Sequence, residues 1–236
     1  MIPIRDHVRS KSFPFFNLLL IGINAYVFVR QLSLPGAQAL EFTMEYAFVA
    51  GRFLSEPLEF WYTPFSTLFF HGGFVHFFGN MLFLLIFGDN VEDALGHVRY
   101  LFFYLFAGAL ALAVQTLLMP LMDVPVIGAS GSISAVLGAY LVLFPLARVT
   151  TLIPIGIFLM PARLPAFVFL VVWAVLQFFS GYFVIVSGPL DNVAYFAHIG
   201  GFVYGFLFAL AGRSRYLEKF RRRGFYGGGR GTYRIR

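Results

Sequence analysis

The sequence predicts an all-α, polytopic membrane protein in which six apolar helices form one bundle. Of its 236 residues, 59% are hydrophobic and only 12% are charged, whereas a soluble domain averages about 45–50% apolar and about 25% charged residues. The apolar residues are grouped in six segments, and each approaches the roughly 20 residues that a spanning helix needs. Cysteine is absent, which excludes a disulfide framework and thiol chemistry.

The six helices are predicted from the apolar segments in chain order. They are expected over residues 14–33, 68–88, 98–119, 129–145, 165–187 and 194–212. The intervening stretch 34–67 is too charged to span, and its "EFWYTPF" is typical of the headgroup layer, which favours an interfacial outer loop. We expect one membrane-embedded domain over 1–212 and a basic tail over 213–236. No cleavable signal peptide is expected, because no small-residue cleavage site follows the first segment.

The basic residues predict the orientation of this bundle. Fifteen of the 17 Lys and Arg residues fall on one side of the six-helix layout, and only Arg30 and Arg52 fall on the other. Because basic residues stay cytoplasmic, both termini of this multi-pass protein are predicted to be cytoplasmic. Its membrane is expected to be a prokaryotic inner membrane. The loop 34–67 and the turns "LMDVPVIG" and "SGPLDN" then face outside. The Gly- and Arg-rich tail favours contact with anionic membrane lipid over RNA binding, and no nucleic-acid partner is expected.

A glycine-flanked serine, Ser130 in "VIGASGSISAVLGAY", opens the fourth segment. The fifteen residues from Ser130 to Phe144 form a helix of about 22 Å, against a hydrocarbon core of about 30 Å. The helix start is therefore expected below the outer surface, in a protected wet cavity. Free backbone N–H groups at that start suit an oxyanion, and Gly128 and Gly131 permit tight backbone geometry. The alternative is that these small residues serve only helix packing.

His198 is the predicted base for a serine nucleophile. It lies in the sixth segment beside a stripe of small residues that recurs every four positions: Ala197, Gly201, Gly205 and Ala209. Such a stripe favours close helix approach, so His198 is expected to face a neighbouring helix. No carboxylate is placed to orient it, so the arrangement is a Ser–His dyad.

His76 and Asn80 lie four residues apart in the second segment and share one helix face. Both side chains donate hydrogen bonds, so they are predicted to hold the oxyanion beside the Ser130 backbone N–H. Gly128 is predicted with them as an oxyanion or substrate residue. His71 is interpreted as structural or as lining the entrance. A zinc site is the disfavoured alternative, because His71 and His76 point to different faces and no HExxH or buried carboxylate is present. No metal site is predicted.

These motifs together resemble the rhomboid family of intramembrane serine proteases. The resemblance rests on "GASG" in the fourth segment, "HGGFVHFFGN" in the second and "AHIGG" in the sixth, and it covers most of residues 60–212. It implies a six-helix rhomboid-like core that cleaves transmembrane segments of other proteins without a cofactor. It also implies that Ser130 is the nucleophile, that His198 is the base, and that His76 and Asn80 form the oxyanion hole.

Two positions depart from the family pattern. Many members have Trp-Arg before the second helix, where this chain has Trp61-Tyr62, and many bacterial members pack an aromatic residue on the histidine, where this chain has Ser134. Loop anchoring and the packing of His198 are therefore expected to differ. Two other functions are weighed: an inactive relative that binds membrane helices, disfavoured because both serine and histidine are present, and a small-solute transporter, disfavoured because no internal repeat is seen.

Overall fold

The computed structural model describes residues 1–119, 124–188 and 193–222. Its helices are α1 (Phe15–Ser33), α2 (Gly36–Tyr46), α3 (Ala50–Ser55), α4 (Thr63–Ser66), α5 (Phe74–Leu95), α6 (His97–Leu118), α7 (Ser130–Leu143), α8 (Ala166–Ser187) and α9 (Tyr195–Arg222). A 3-10 turn covers Thr67–Phe69, and the strands are β1 (Ile2–Asp6), β2 (Arg148–Ile155) and β3 (Phe158–Pro165).

The predicted membrane-spanning bundle is confirmed. Five described helices (α1, α5, α6, α8 and α9) are long and apolar enough to cross a membrane, and α7 is a shorter apolar helix. With 14 residues, α7 extends about 21 Å. It is the most enclosed helix, since all residues from Gly131 to Tyr140 are buried.

Two helix ends differ from the predicted segments. The second segment was expected from residue 68, but α5 begins at Phe74 because Thr67–Phe69 forms a 3-10 turn and Gly73 has an extended φ of 157°. The sixth segment was expected to end at 212, but α9 runs to Arg222. No glycine or proline interrupts residues 213–222, so nothing in the backbone stops the helix there. The rest of the predicted tail, 223–236, lies outside the described residues.

The long helices alternate in direction and give the bundle two ends. At one end, here called the serine end, α7 begins with Ser130; at the other, the sheet end, α7 leads into β2. Basic residues gather at the sheet end: Arg5, Arg99, Arg148, Arg163, Arg213 and Arg215. Arg30 and Arg52 belong to elements of the serine end. The charge asymmetry predicted along the bundle is thus present in the fold.

A three-stranded sheet at the sheet end adds to the helical bundle, and no strand is predicted there from the sequence. β1 pairs antiparallel with β2, and β2 pairs antiparallel with β3 through a turn at Gly156, whose φ is +60°. Val149, Thr150 and Thr151 supply the β-branched residues that favour a strand. The connection between the fourth and fifth predicted segments, residues 146–164, is therefore a hairpin.

The segment 34–67, predicted to be interfacial, folds as α2, α3 and α4 at the serine end. Arg52 anchors it by donating hydrogen bonds to the carbonyl oxygens of Met44 (2.7 Å) and Ala47 (3.2 Å). The Tyr62 hydroxyl donates to the carbonyl oxygen of Glu45 over 3.2 Å. The chain therefore anchors this segment with Arg52 and with Tyr62, which stands where the family pattern has the Arg of Trp-Arg.

Candidate active site

The loop that leads into α7 is tied to the interfacial segment. The Gly128 N–H donates to the carbonyl oxygen of Thr67 over 3.0 Å, and the Val126 N–H donates to that of Phe48 over 2.8 Å. The Thr67 hydroxyl in turn donates to the Val126 carbonyl. Gly128 has a φ of +124°, in the region that favours glycine. These bonds fix the backbone from which Ser130 starts α7.

Ser130 is the first residue of α7 and is partly exposed, whereas the residues after it are buried. The first backbone N–H groups of a helix have no intrahelical acceptor, and the positive end of the helix dipole lies there. The Ser134 hydroxyl does not cap this end, because it donates to the Ser130 carbonyl oxygen over 2.7 Å. The start of α7 therefore keeps unused N–H donors beside the Ser130 hydroxyl.

His76 and Asn80 of α5 lie against this loop. A Cβ built on Gly128 would be 2.7 Å from Nε2 of His76 and 3.7 Å from Nδ2 of Asn80. The Gly72 N–H donates to Nδ1 of His76 over 3.3 Å, so the neutral ring carries its proton on Nε2. Asn80 is only 9% exposed, and its Nδ2 has no hydrogen-bond partner among the described residues. Two side-chain donors thus stand ready beside Gly128.

His198 lies in the first turn of α9, and its ring is held from α8. Nδ1 of His198 is 2.8 Å from Oε1 of Gln177. The rings of Trp173 and Tyr195 each have centroids 6.3 Å from the imidazole. These two rings supply aromatic contacts to His198 in a chain that has Ser134 where many relatives have an aromatic residue.

Close packing of α7 against α9 brings Gly131, the residue after Ser130, to the first turns of α9, where His198 lies. A Cβ on Gly201 would be 2.1 Å from the Gly131 carbonyl oxygen, and one on Gly131 would be 3.8 Å from the Ala197 carbonyl oxygen. The backbones of Gly131, next to Ser130, and of Gly201, one turn after His198, are therefore in direct contact. Among the described residues, no hydrogen bond joins the Ser130 hydroxyl to the His198 ring.

Two glutamines of the site were missed by sequence reasoning. Gln177 is the acceptor for His198, and Gln115 of α6 accepts a 3.1 Å hydrogen bond from the Ala197 N–H, which ties down the start of α9. A signal was available for Gln177, because it is the one amide side chain in an α8 that holds no charged residue. Polar side chains in spanning helices commonly bridge helices.

The remaining histidines lie outside this cluster or at its edge. His71 is 3% exposed, and its ring packs edge-on against Phe28, His76 and Phe77. His7 bonds to Thr150 and His97 to Glu92 at the sheet end. Among the described residues, no group of three or more His, Cys, Asp or Glu side chains could hold a metal ion.

The fold and the site define a multi-pass helical membrane protein that encloses a serine, two histidines and an asparagine at one end of its bundle. The family model described as the Rhomboid domain matches residues 58–215. The chain therefore belongs to the rhomboid family, and the resemblance seen in its motifs is confirmed. Membership of this family implies intramembrane protease activity on membrane proteins. No curated protein matches the chain significantly.

Proposed function

We propose that this chain is an intramembrane serine endopeptidase that uses Ser130 and His198 as a dyad. The observation that carries the proposal is the pair of donors, Nε2 of His76 and Nδ2 of Asn80, that flank Gly128 two residues before Ser130. A buried amide without a partner is costly, and a developing oxyanion would satisfy it. The Gly128 N–H is already used by Thr67, so Gly128 serves through its backbone conformation.

The reaction follows from the roles of these groups. The Ser130 oxygen attacks the carbonyl carbon of the scissile peptide bond while Nε2 of His198 takes the hydroxyl proton. His76, Asn80 and the first N–H groups of α7 hold the oxyanion. The carbon–nitrogen bond then breaks as His198 gives its proton to the leaving amine. Water activated by His198 hydrolyses the acyl-enzyme, and no cofactor takes part.

Transmembrane segments of other proteins are the proposed substrates, entering sideways between α5 and α8. α8 is the least enclosed of the five long helices, with 17% of its apolar window buried, against 50% for α5. The two helices touch near the sheet end, where the rings of Phe83 and Phe87 lie 6.3 and 6.1 Å from that of Phe169. A substrate helix would enter nearer the serine end and unwind there.

The proposed orientation places the sheet end and both termini in the cytoplasm of a prokaryotic cell with the chain in its inner membrane. The support is the set of described basic residues that lie at that end, Arg5, Arg99, Arg148, Arg163, Arg213 and Arg215, as basic residues stay cytoplasmic. Residues 1–212 would form the membrane domain, and 213–236 a basic cytoplasmic tail touching lipid. The outer turns contain residues 120–123 and 189–192, which lie outside the described residues.

Cleavage of a purified single-span membrane protein in liposomes tests the proposal. We expect wild-type protein to cut this substrate near its membrane boundary and to be labelled by a fluorophosphonate probe. Ser130→Ala should abolish both cleavage and labelling, and His198→Ala should lower both by at least about 10³-fold, since removing a member of such a catalytic set costs about that much or more.

Matched controls separate chemistry from packing. Ser132→Ala removes a neighbouring buried hydroxyl of α7, and His97→Ala removes a histidine at the sheet end; both should keep cleavage and labelling. Full activity of folded Ser130→Ala would refute the assignment. A folded wild-type protein that neither cleaves nor reacts with the probe would indicate a helix-binding function.

A further inference from the structure

Gln177 lies in the middle of α8 and faces His198 across a helix contact. Its amide Oε1 is 2.8 Å from Nδ1 of the imidazole. We propose that Gln177 is a positioning residue that fixes the tautomer and the ring orientation of His198, an inference that rests on the proposed function. The site is then a Ser–His–Gln arrangement in which a neutral amide takes the place usually held by a carboxylate.

The hydrogen bond determines which nitrogen of His198 can act as a base. An amide oxygen only accepts, so Nδ1 must carry the proton, and the lone pair of the neutral ring is on Nε2. That lone pair is the one needed to take the Ser130 proton. When His198 becomes an imidazolium during the reaction, Nδ1–H keeps its acceptor, and the ring does not turn.

The face of α8 that carries Gln177 is built to pack on α9. One stripe on the surface of α8 contains residues spaced four positions apart: Trp173, Gln177 and Gly181. The Trp173 ring lies 5.8 Å from the ring of Phe202. A Cβ on Gly181 would be 3.3 Å from the Phe196 ring. The stripe therefore holds the amide against the first turn of α9, on both sides of the hydrogen bond.

A neutral acceptor suits this position in the membrane. α8 contains no charged residue, and a carboxylate inside the bilayer costs several kcal/mol in the absence of a partner. An amide avoids that cost and still orients the base. Because Gln177 comes from the helix beside the proposed entrance, His198 has its acceptor only while α8 is seated on α9.

The first test measures the rate of fluorophosphonate labelling of Ser130 in Gln177→Met and Gln177→Ala proteins. Methionine keeps the length of the side chain and its apolar packing but gives no strong acceptor. Both variants should fold, and both should label about 10- to 100-fold more slowly than wild type, the factor expected for losing a hydrogen bond to a charged group. Wild-type rates in Gln177→Met would overturn the proposal.

The second test uses Gln177→Glu, which restores an acceptor oxygen and changes the pH profile. A carboxylate stabilises the imidazolium, so the acidic limb of the profile should move to higher pH, while labelling above that limb recovers to within about tenfold of wild type. His76 is the other ionisable ring whose charge reaches His198, and Tyr195 lies on the same helix; both are unchanged in this variant. Gln38→Glu on α2, an exposed residue, is the matched control and should leave the profile unchanged.

The two proposals fail in different ways. Failure of the proposed function would appear as folded wild-type protein without labelling or cleavage, or as labelling that persists in Ser130→Ala. Failure of the Gln177 inference would appear in an enzyme that loses labelling with Ser130→Ala but keeps both rate and pH profile in every Gln177 variant. A purely structural glutamine would lower the melting temperature of Gln177→Ala without moving the Gln177→Glu profile, and that result would also overturn the inference.

Discussion

α9 packs against α7 on one side and α8 on the other, and the two contacts differ in kind. On the α7 side, backbone meets backbone: a Cβ on Gly205 would be 1.9 Å from the Ala135 carbonyl oxygen, and one on Gly138 would be 2.1 Å from that of Phe202. On the α8 side, side chains meet, as in the contacts of Gln177 with His198 and of Trp173 with Phe202.

The difference indicates how the two halves of the site are held. Backbone atoms in direct contact cannot give way without moving a whole helix, so α7 and α9 keep Ser130 and His198 in fixed register. Side chains can change rotamer when a neighbour shifts. The positions of the proposed nucleophile and base are therefore set by the α7–α9 contact, and the orientation of the His198 ring by the α8–α9 contact.

A Gly→Ala substitution should change the free energy of unfolding much more at the α7–α9 contact than at the α8–α9 contact, and this is the largest expected difference. Gly205→Ala places a methyl group inside the Ala135 backbone and should lower the free energy of unfolding by about 3 kcal/mol, the upper part of the range for overpacked cores. Gly181→Ala meets the side chains of Phe196, at 3.3 Å, and Ile199, at 3.5 Å. It should stay within about 1 kcal/mol of wild type, because the helix preference of alanine offsets a small ring movement. Unfolding by SDS in mixed micelles measures both.

Equal destabilisation by Gly205→Ala and Gly181→Ala would contradict this division of the bundle. Gly22→Ala on α1, where a Cβ would meet nothing within 4 Å, calibrates the effect of a helical Gly→Ala change without a neighbour. We expect that control to be neutral or stabilising.

Gly128→Ala should remove activity and leave the α7–α9 contact intact. The added Cβ would be 2.7 Å from Nε2 of His76, and the Gly128 φ of +124° is strained for alanine. The displaced His76 no longer donates to the oxyanion, so cleavage should fall by about 10²- to 10³-fold, as for the loss of one such donor. The kcat for a single-span substrate measures this effect.

Gly79→Ala is the matched control on α5, next to Asn80, where a Cβ would meet nothing within 4 Å. It should keep wild-type kcat. Near-wild-type cleavage by Gly128→Ala would show that His76 does not depend on the Gly128 backbone, and it would remove the observation that carries the proposed function.

Much of the fold follows from the sequence because it depends on local composition. The apolar segments predict the spanning helices, and the short run from Ser130 to Phe144 predicts the short α7, which ends at Leu143. His76 and Asn80 lie beside Gly128, and their role in an oxyanion hole stays a prediction. Each of these features depends on neighbouring residues or on the spacing of residues along one helix face.

The rest depends on contacts between distant parts of the chain. The sheet requires Ile2–Asp6 to pair with residues 148–155. No local sequence pattern predicts pairing between strands that far apart in the chain. The sequence shows no carboxylate placed to accept a hydrogen bond from His198. The acceptor is the amide of Gln177, which lies 21 residues away and reaches the ring only through the packing of α8 on α9. Arg52 likewise anchors its segment through tertiary contacts with carbonyl groups.

The smallest predicted effect concerns the sheet end of α7, the helix that carries Ser130. The side chain of Asp6 anchors α7 there. Oδ2 of Asp6 accepts hydrogen bonds from the Tyr140 hydroxyl (2.6 Å) and from Nδ2 of Asn90 (2.8 Å). Burial raises the pKa of Asp6 from 3.8 to about 7, although the bond from Tyr140 acts to lower it.

This raised pKa makes the stability of the bundle depend on pH with a definite sign. Between pH 3.8 and about pH 7, the Asp6 carboxyl keeps a proton in the folded chain that it has lost in the unfolded chain. The free energy of unfolding therefore falls as the pH rises through this range. Asp6→Asn keeps an oxygen acceptor without the charge. The wild-type melting temperature in detergent should therefore fall between pH 5 and pH 8 by on the order of 5 °C more than that of Asp6→Asn. Glu41→Gln, at an exposed carboxylate of α2, should follow wild type, and parallel curves for wild type and Asp6→Asn would contradict the anchor.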